Sequence, residues 1–204
     1  MEFLQRAPGT PLVLGIFPGA FNPPTRAHLT LARTVLAKAD EILFVLPRVF
    51  PHKAYEGADF TQRVRMLEAA CIGEPRFSIG ASDQGLLIDI ARECRQHYGP
   101  ATRLAFLCGR DAAERIVHWD YGTPGAFAGM LREFELWVAS RGGPYEPPGD
   151  LQHGIRALPA PDGCEEISAS EVRRRICDGR PWEHLVPEAV VPLAREIYGR
   201  LPAA

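Results

Sequence analysis

The sequence predicts an α/β fold: a parallel sheet with helices on both faces, closed by further helices at the C-terminal end. Two observations carry this. Short apolar runs alternate with longer amphipathic ones along most of the chain, the pattern of strand–helix–strand units. The length, 204 residues, suits one domain with a substantial core and is short for two. We therefore expect a single domain over 1–204, with 1–10 as a flexible N-terminal tail.

Taken in order, PLVLGIF (11–17) reads as a buried strand and RAHLTLARTVLAKA (26–39) as a helix. A second strand, EILFVLP (41–47), precedes the helix DFTQRVRMLEAAC (59–71), which Asp59 or Thr61 would cap. RFSIG (76–80) is a short strand before the helix LLIDIARECRQH (86–97). RLAFLCG (103–109) and FELWVAS (134–140) are further strands, and IRALPA (155–160) is a weaker one. Helices near 168–178 and 187–200 close the chain. The Pro/Gly-rich stretch 141–154 reads as a surface loop. In such sheets ligands bind outside the carboxyl ends of the strands, where strand order reverses.

Composition excludes several classes. The chain is 46% hydrophobic and 24% charged, ordinary for a globular protein. Its net charge is −2, which offers no basic field for nucleic acid. Five cysteines without a C-x-x-C pair read as reduced thiols rather than a zinc site. No apolar h-region opens the chain and no run is long enough to span a bilayer, so a cytoplasmic protein is expected. P-loop, dinucleotide, serine-elbow and H-E-x-x-H motifs are all missing.

The most informative stretch is GAFNPPTRAHLTLA (19–32). Thr25 is placed to cap the helix after the first strand, and His28 falls near its third position. A helix start presents unpaired N–H groups and a partial positive charge, which together bind phosphate. Pro23 and Pro24 stiffen the loop, and Gly19 lets backbone approach a ligand closely. His28 would join those N–H groups and could hydrogen-bond phosphate oxygens that gain charge in a transition state. A capping threonine beside a partly buried histidine would satisfy the same spacing.

GAFNPPTRAH resembles the G-x-F-x-P-x-[H/T]-x-G-H signature of the nucleotidyltransferase superfamily. Three further segments resemble the nicotinate/nicotinamide mononucleotide adenylyltransferases: LPRVFPHK (46–53), FLCGRDAAERIVHW (106–119) and ISASEVRRRI (167–176). The resemblance spans nearly the whole chain in the right order. It implies a Rossmann-like nucleotidyltransferase fold, with Gly19, Phe21, Thr25 and His28 at the ATP phosphates. Gly109 and Asp111 would contact the ATP ribose. Trp119 would stack on the pyridine ring of the acceptor, and His52 and Lys53 would meet acceptor phosphate.

Each of these segments also has a plainer reading. In ISASEVRRR, Ser168 and Glu171 form a capping box opening a helix. Ser170 and Arg173 sit near that start, suited to the β- and γ-phosphates of a nucleotide, whereas Arg174 and Arg175 would face solvent. A capped helix with a solvated arginine run is the alternative. Asp111 could be simply an N-cap, Trp119 a core residue, and Lys53 a solvated loop lysine.

The resemblance implies adenylyl transfer. The 5′-phosphate of a mononucleotide attacks the α-phosphorus of ATP and expels pyrophosphate, with His28, Thr25 and Arg173 in the catalytic set. Mg²⁺ would be held mainly by phosphates rather than by a protein cage. Two departures matter. Thr25 stands where bacterial nicotinate enzymes usually have a first histidine. Gly85-Leu86-Leu87 stands where those enzymes have Ser-Tyr-Thr, and has no hydroxyl for a pyridine carboxylate. The alternatives are the same chemistry on phosphopantetheine or a sugar or vitamin phosphate, and a nucleotide-binding protein without catalysis.

Overall fold

The computed structural model describes residues 1–50, 55, 57–140, 145–159, 163–164 and 167–199. Strands Glu2–Gln5 (β1), Val13–Pro18 (β2), Glu41–Pro47 (β3), Phe77–Ser82 (β4), Arg103–Gly109 (β5), Glu135–Ala139 (β6) and Ile155–Leu158 (β7) form one sheet in the order β1-β4-β3-β2-β5-β6-β7. The last six in chain order pair in parallel, and β1 pairs antiparallel with β4. The sheet is thus mixed, where the sequence predicts a parallel one.

That difference lies in the expected flexible tail. Glu2–Gln5 is a strand registered against Ile79–Ala81, too short for its apolar alternation to be read from the sequence. Packing fixes it: Met1 and Phe3 lie on the sheet's second core. The Ala7 amide also donates to the buried Ser78 hydroxyl at 2.8 Å.

Helices Arg26–Val35 (α1), Phe60–Cys71 (α2), Leu87–Tyr98 (α3), Arg110–Val117 (α4), Ala126–Met130 (α5), Ala169–Cys177 (α6) and Val191–Tyr198 (α7) are the α-helices among the described residues. They divide between the two faces. Residues of α1, α2, α6 and α7 pack in one core, and residues of α3, α4 and α5 in the other. The strand β3 shows how one sequence serves both: Ile42, Phe44 and Leu46 face the first core, Leu43 and Val45 the second.

Element ends explain most remaining differences. α1 stops at Val35 rather than at 39, and turns after it hand the chain directly to β3. Asp59, not Thr61, caps α2, accepting from the Gln62 amide at 2.8 Å. α5 has five residues, too few for a periodic signal. No helix of the described residues is long and apolar enough to cross a membrane.

Strand order reverses between β2 and β5. From β2 the chain proceeds to β3 and β4 on one side, and β5 leads to β6 and β7 on the other. A crevice at the carboxyl ends of β2 and β5 is the geometric consequence.

The sheet is anchored by Phe44, fully buried, whose ring meets Phe17, Phe21 and Phe77 at 5.7, 5.5 and 5.2 Å between centroids. Replacing it with alanine is expected to cost about 3–5 kcal/mol of unfolding free energy, measured by urea denaturation. A loss below about 1 kcal/mol would mean that the core repacks around the missing ring.

Candidate active site

The chain leaves β2 through Pro18 and turns over the sheet edge before α1 begins. The Gly19 amide continues the sheet by donating to the Val45 carbonyl at 3.0 Å. A Cβ at Gly19 would lie 2.9 Å from Cζ of Phe21, so the glycine makes room for that ring. Phe21 has φ +47°, in the left-handed region, and is buried against Phe17, His28 and Phe44. The Asn22–Pro23 peptide is cis.

Asn22 is buried and holds the turn from several sides. Its Oδ1 accepts from the Ala58 amide at 3.1 Å and from the Tyr198 hydroxyl at 2.5 Å. Its main-chain carbonyl accepts from the Arg173 guanidinium at 2.5 Å. Gly57, at φ +121°, packs so closely that a Cβ there would lie 2.2 Å from Asn22 Nδ2.

Thr25 caps α1 in an extended conformation and is fully buried. Its amide donates to His28 Nδ1 at 3.0 Å, and its hydroxyl oxygen lies 2.8 Å from the same nitrogen. An amide N–H cannot reverse its role, so Nδ1 must accept. A neutral His28 therefore carries its proton on Nε2, the far side of the ring, and presents a donor there. The half-buried ring lines the crevice.

That crevice has a volume of about 400 Å³. Of the residues singled out from sequence, Thr25, His28, Gly109, Asp111 and Ser168 all line it. Three chain segments far apart in sequence thus meet: the starts of α1, α4 and α6. Gly109 is the N-cap of α4, and Asp111 is its second residue rather than its cap. The exposed Asp111 carboxylate has no protein partner among the described residues and is open to a ligand. Ser168 caps α6, its hydroxyl accepting from the Glu171 amide at 3.1 Å. The other half of the expected capping box is not formed. Glu171 turns to Arg175 at 2.6 Å and to Arg174, whose guanidinium groups hold its carboxyl below the usual carboxylate range. Arg174 faces solvent as expected, Arg175 is partly buried, and both share Glu171 as an ion-pair partner.

Other candidates stand apart from the crevice. Gly19 and Phe21 lie beneath it as the support of the turn. Ser170 is exposed on α6, and Arg173 is half-buried with its guanidinium on Asn22. Trp119 is 40% exposed and lines a second depression with Asp120 and Tyr121, beyond the end of α4. His52 and Lys53 lie outside the described residues. Leu86 and Leu87 are partly buried and pack on the second core.

Sequence reasoning missed Ser140 and Arg115, which also line the crevice. Ser140 directly follows β6, beside β5, so the rule placing ligands at strand carboxyl ends would have found it. Arg115 follows Asp111 by four residues, the spacing that sets two side chains on one helix face.

A cytidylyltransferase-like family model matches residues 16–175, which include all three helix starts around the crevice. The chain belongs to this family. Among curated cytidylyltransferase-like relatives, a probable nicotinate-nucleotide adenylyltransferase of Solibacter usitatus is 35% identical over 192 residues, 90% of this chain and 96% of that one. Another of the same name from Treponema pallidum is 31% identical over 205 residues, 91% of this chain and 98% of that one. Among solved structures, Plasmodium falciparum nicotinic acid mononucleotide adenylyltransferase complexed with NaAD aligns with a TM-score of 0.69. It is 18% identical and covers 90% of this chain and 95% of its own, a likeness of fold.

Two measurements check this geometry. Nitrogen NMR of ring-labelled protein is expected to find neutral His28 protonated at Nε2; a proton on Nδ1 would contradict the Thr25 contact. Burial pushes the Cys108 thiol at the crevice wall up to about 12, so it stays protonated until pH approaches that value. Exposed Cys177 is expected to be alkylated near pH 8 well before Cys108. Equal labelling by mass spectrometry would show that the crevice wall opens.

Proposed function

We propose that this enzyme joins the adenylyl group of ATP to a pyridine mononucleotide, nicotinate mononucleotide first, releasing pyrophosphate and forming a dinucleotide of the NAD type. The observation that carries the reading is the meeting of three helix starts in one crevice at the switch point. Such ends bind anions, and a nucleotide triphosphate has several to place. Relatives named as nicotinate-nucleotide adenylyltransferases, matching nearly end to end, support the acceptor class.

In this reading an oxygen of the acceptor's 5′-phosphate attacks the α-phosphorus. The bond from that phosphorus to the bridging oxygen of pyrophosphate breaks, and no covalent enzyme intermediate forms. His28 donates from Nε2 to phosphate oxygens as they gain charge, and the first-turn N–H groups of α1 assist it. Asp111 accepts from ribose hydroxyls, with Gly109 beside it. The start of α6, with Ser168, Ser170 and Arg173, receives the β- and γ-phosphates. Gly19 and Phe21 act beneath the ATP site by shaping the turn, Lys53 and His52 meet acceptor phosphate, and Trp119 stacks on its ring. Catalysis here is alignment plus charge stabilisation.

Among the described residues no three His, Cys, Asp or Glu side chains converge as a metal cage. In this reading Mg²⁺ arrives on the nucleotide, since that ion keeps several waters and binds phosphates readily. When bound, it would neutralise charge on the departing pyrophosphate.

The test is pyrophosphate release with Mg-ATP and, separately, nicotinate mononucleotide, nicotinamide mononucleotide and phosphopantetheine. Release with a pyridine mononucleotide and the matching dinucleotide by mass is expected. Release with phosphopantetheine alone would overturn the acceptor, and silence with all three would overturn the reaction. His28→Ala is expected to lower kcat by about 100-fold or more while leaving the melting temperature near wild type.

A further inference from the structure

One charged side chain near the crevice is expensive and takes no part in the roles above. Arg63, on α2, is only 3% exposed. Its Nε is buried with no hydrogen-bond partner among the described residues. No ion pair reaches it among the described residues, and Asp59, one turn earlier, is occupied in capping α2. Burial accordingly pulls its guanidinium below the usual arginine range.

Instead of a carboxylate, the guanidinium has rings. It lies 4.7 Å from the Tyr55 ring centroid, 5.3 Å from Phe50 and 5.4 Å from Phe60. Phe50 and Tyr55 stack on each other at 4.8 Å. Ring faces offset part of the desolvation of a cation, although an apolar side chain of similar length would fill the cage without any such cost. As a stabilising device the charge is a poor choice.

What it touches outside the cage is the site. Arg63 Nη1 donates to the Ala20 carbonyl at 3.4 Å, two residues before the Asn22 carbonyl that Arg173 holds. Two guanidinium groups, from α2 and α6, therefore grip one turn. A carbonyl that accepts from either points at that arginine and not into the crevice, where its negative end would oppose phosphate. No carboxylate forms an ion pair with either cation among the described residues, and although Asp59 offsets part of the Arg63 charge through space, both leave positive field behind the turn, poorly screened because Arg63 is buried.

We propose that Arg63 is a positioning residue for the transfer reaction, a buried cation that fixes the Gly19–Thr25 turn and adds positive field beneath it. The role rests on the adenylyl-transfer reading, and it makes a prediction that a structural arginine does not. Removing the charge should spare or raise stability while damaging turnover.

The experiment compares Arg63→Met and Arg63→Lys with wild type by thermal melting and by kcat and KM for ATP. Arg63→Met is expected to melt at or above the wild-type temperature, with kcat down about 10-fold or more and KM changed much less. Arg63→Lys, which keeps a charge and a donor, is expected to recover part of kcat. Near-normal kcat in Arg63→Met overturns the role. So does a lower melting temperature or failure to fold, which would make the guanidinium structural, and so does a rise in KM alone. An inactive wild type removes the reaction and this role together, whereas an active wild type with an unaffected Arg63→Met removes the role alone.

Discussion

The architecture of the site depends on one buried amide. Asn22 sits at 4% exposure in the turn between β2 and α1, and three other parts of the fold reach it. The Ala58 amide, just before α2, binds its side chain, as does the Tyr198 hydroxyl from α7; Arg173 of α6 binds its carbonyl. Burial raises the cost of losing any of these bonds, because the orphaned partner has no water to turn to. The consequence is geometric. The turn that delivers Thr25 and His28 is held from α2, α6 and α7, and of these α6 also opens on the crevice, so one wall of the site shares its support with the turn. The C-terminal helix, distant in sequence from every residue of the signature, is part of that support.

Charge is distributed to the same end. The chain carries a net −2, yet its acidic groups are largely committed away from the crevice. Glu135 pairs with Arg103 and Arg156, Glu171 with Arg174 and Arg175, and Glu74 with Arg33. Exposed pairs of this kind contribute little to stability. They do offset the field of the arginines they engage. Those left without a carboxylate among the described residues include Arg115 at the crevice wall, with Arg63 and Arg173 behind the turn. A net acidic protein thus brings Arg115 and Asp111, both unpaired among the described residues, to one crevice, with two further arginines behind the turn, an arrangement that total charge does not reveal.

Much of the fold was legible in the sequence because β2, β3, β5 and β6 are dense apolar runs and α1 and α2 open on capping residues, Thr25 and Asp59. The strand β1 was not, since four residues give no usable period and its pairing is decided by Met1 and Phe3 landing on a distant core. At the site, positions fixed by element ends were legible: Thr25, His28, Gly109, Asp111 and Ser168 each sit at or beside a helix start. Positions fixed by packing were not. Arg63 lies in a helical segment whose pattern does not single it out, and its burial becomes evident only when Phe50, Tyr55 and Phe60 surround it. Arg173 was placed on substrate phosphate from its motif, and its contact with Asn22 adds a second task that no spacing could disclose.

The acceptor side follows a different logic from the nucleotide side. Leu86 and Leu87 give their side chains to the second core, and side chains committed to a core cannot also serve a ligand. If the pyridine ring lies at this turn, as the family resemblance implies, polar recognition there falls to backbone groups. The first turn of α3 has N–H groups and no side-chain cap. A carboxylate needs only donors, and such a turn can supply them. A carboxamide also brings its own N–H, and the first turn of α3 carries the Asp89 carboxylate, an acceptor that also meets Arg92 at 3.4 Å. A turn without side-chain hydroxyls thus still offers polar groups of both kinds, donors from the α3 backbone and an acceptor from Asp89, and discrimination at this turn would rest on them rather than on the leucines.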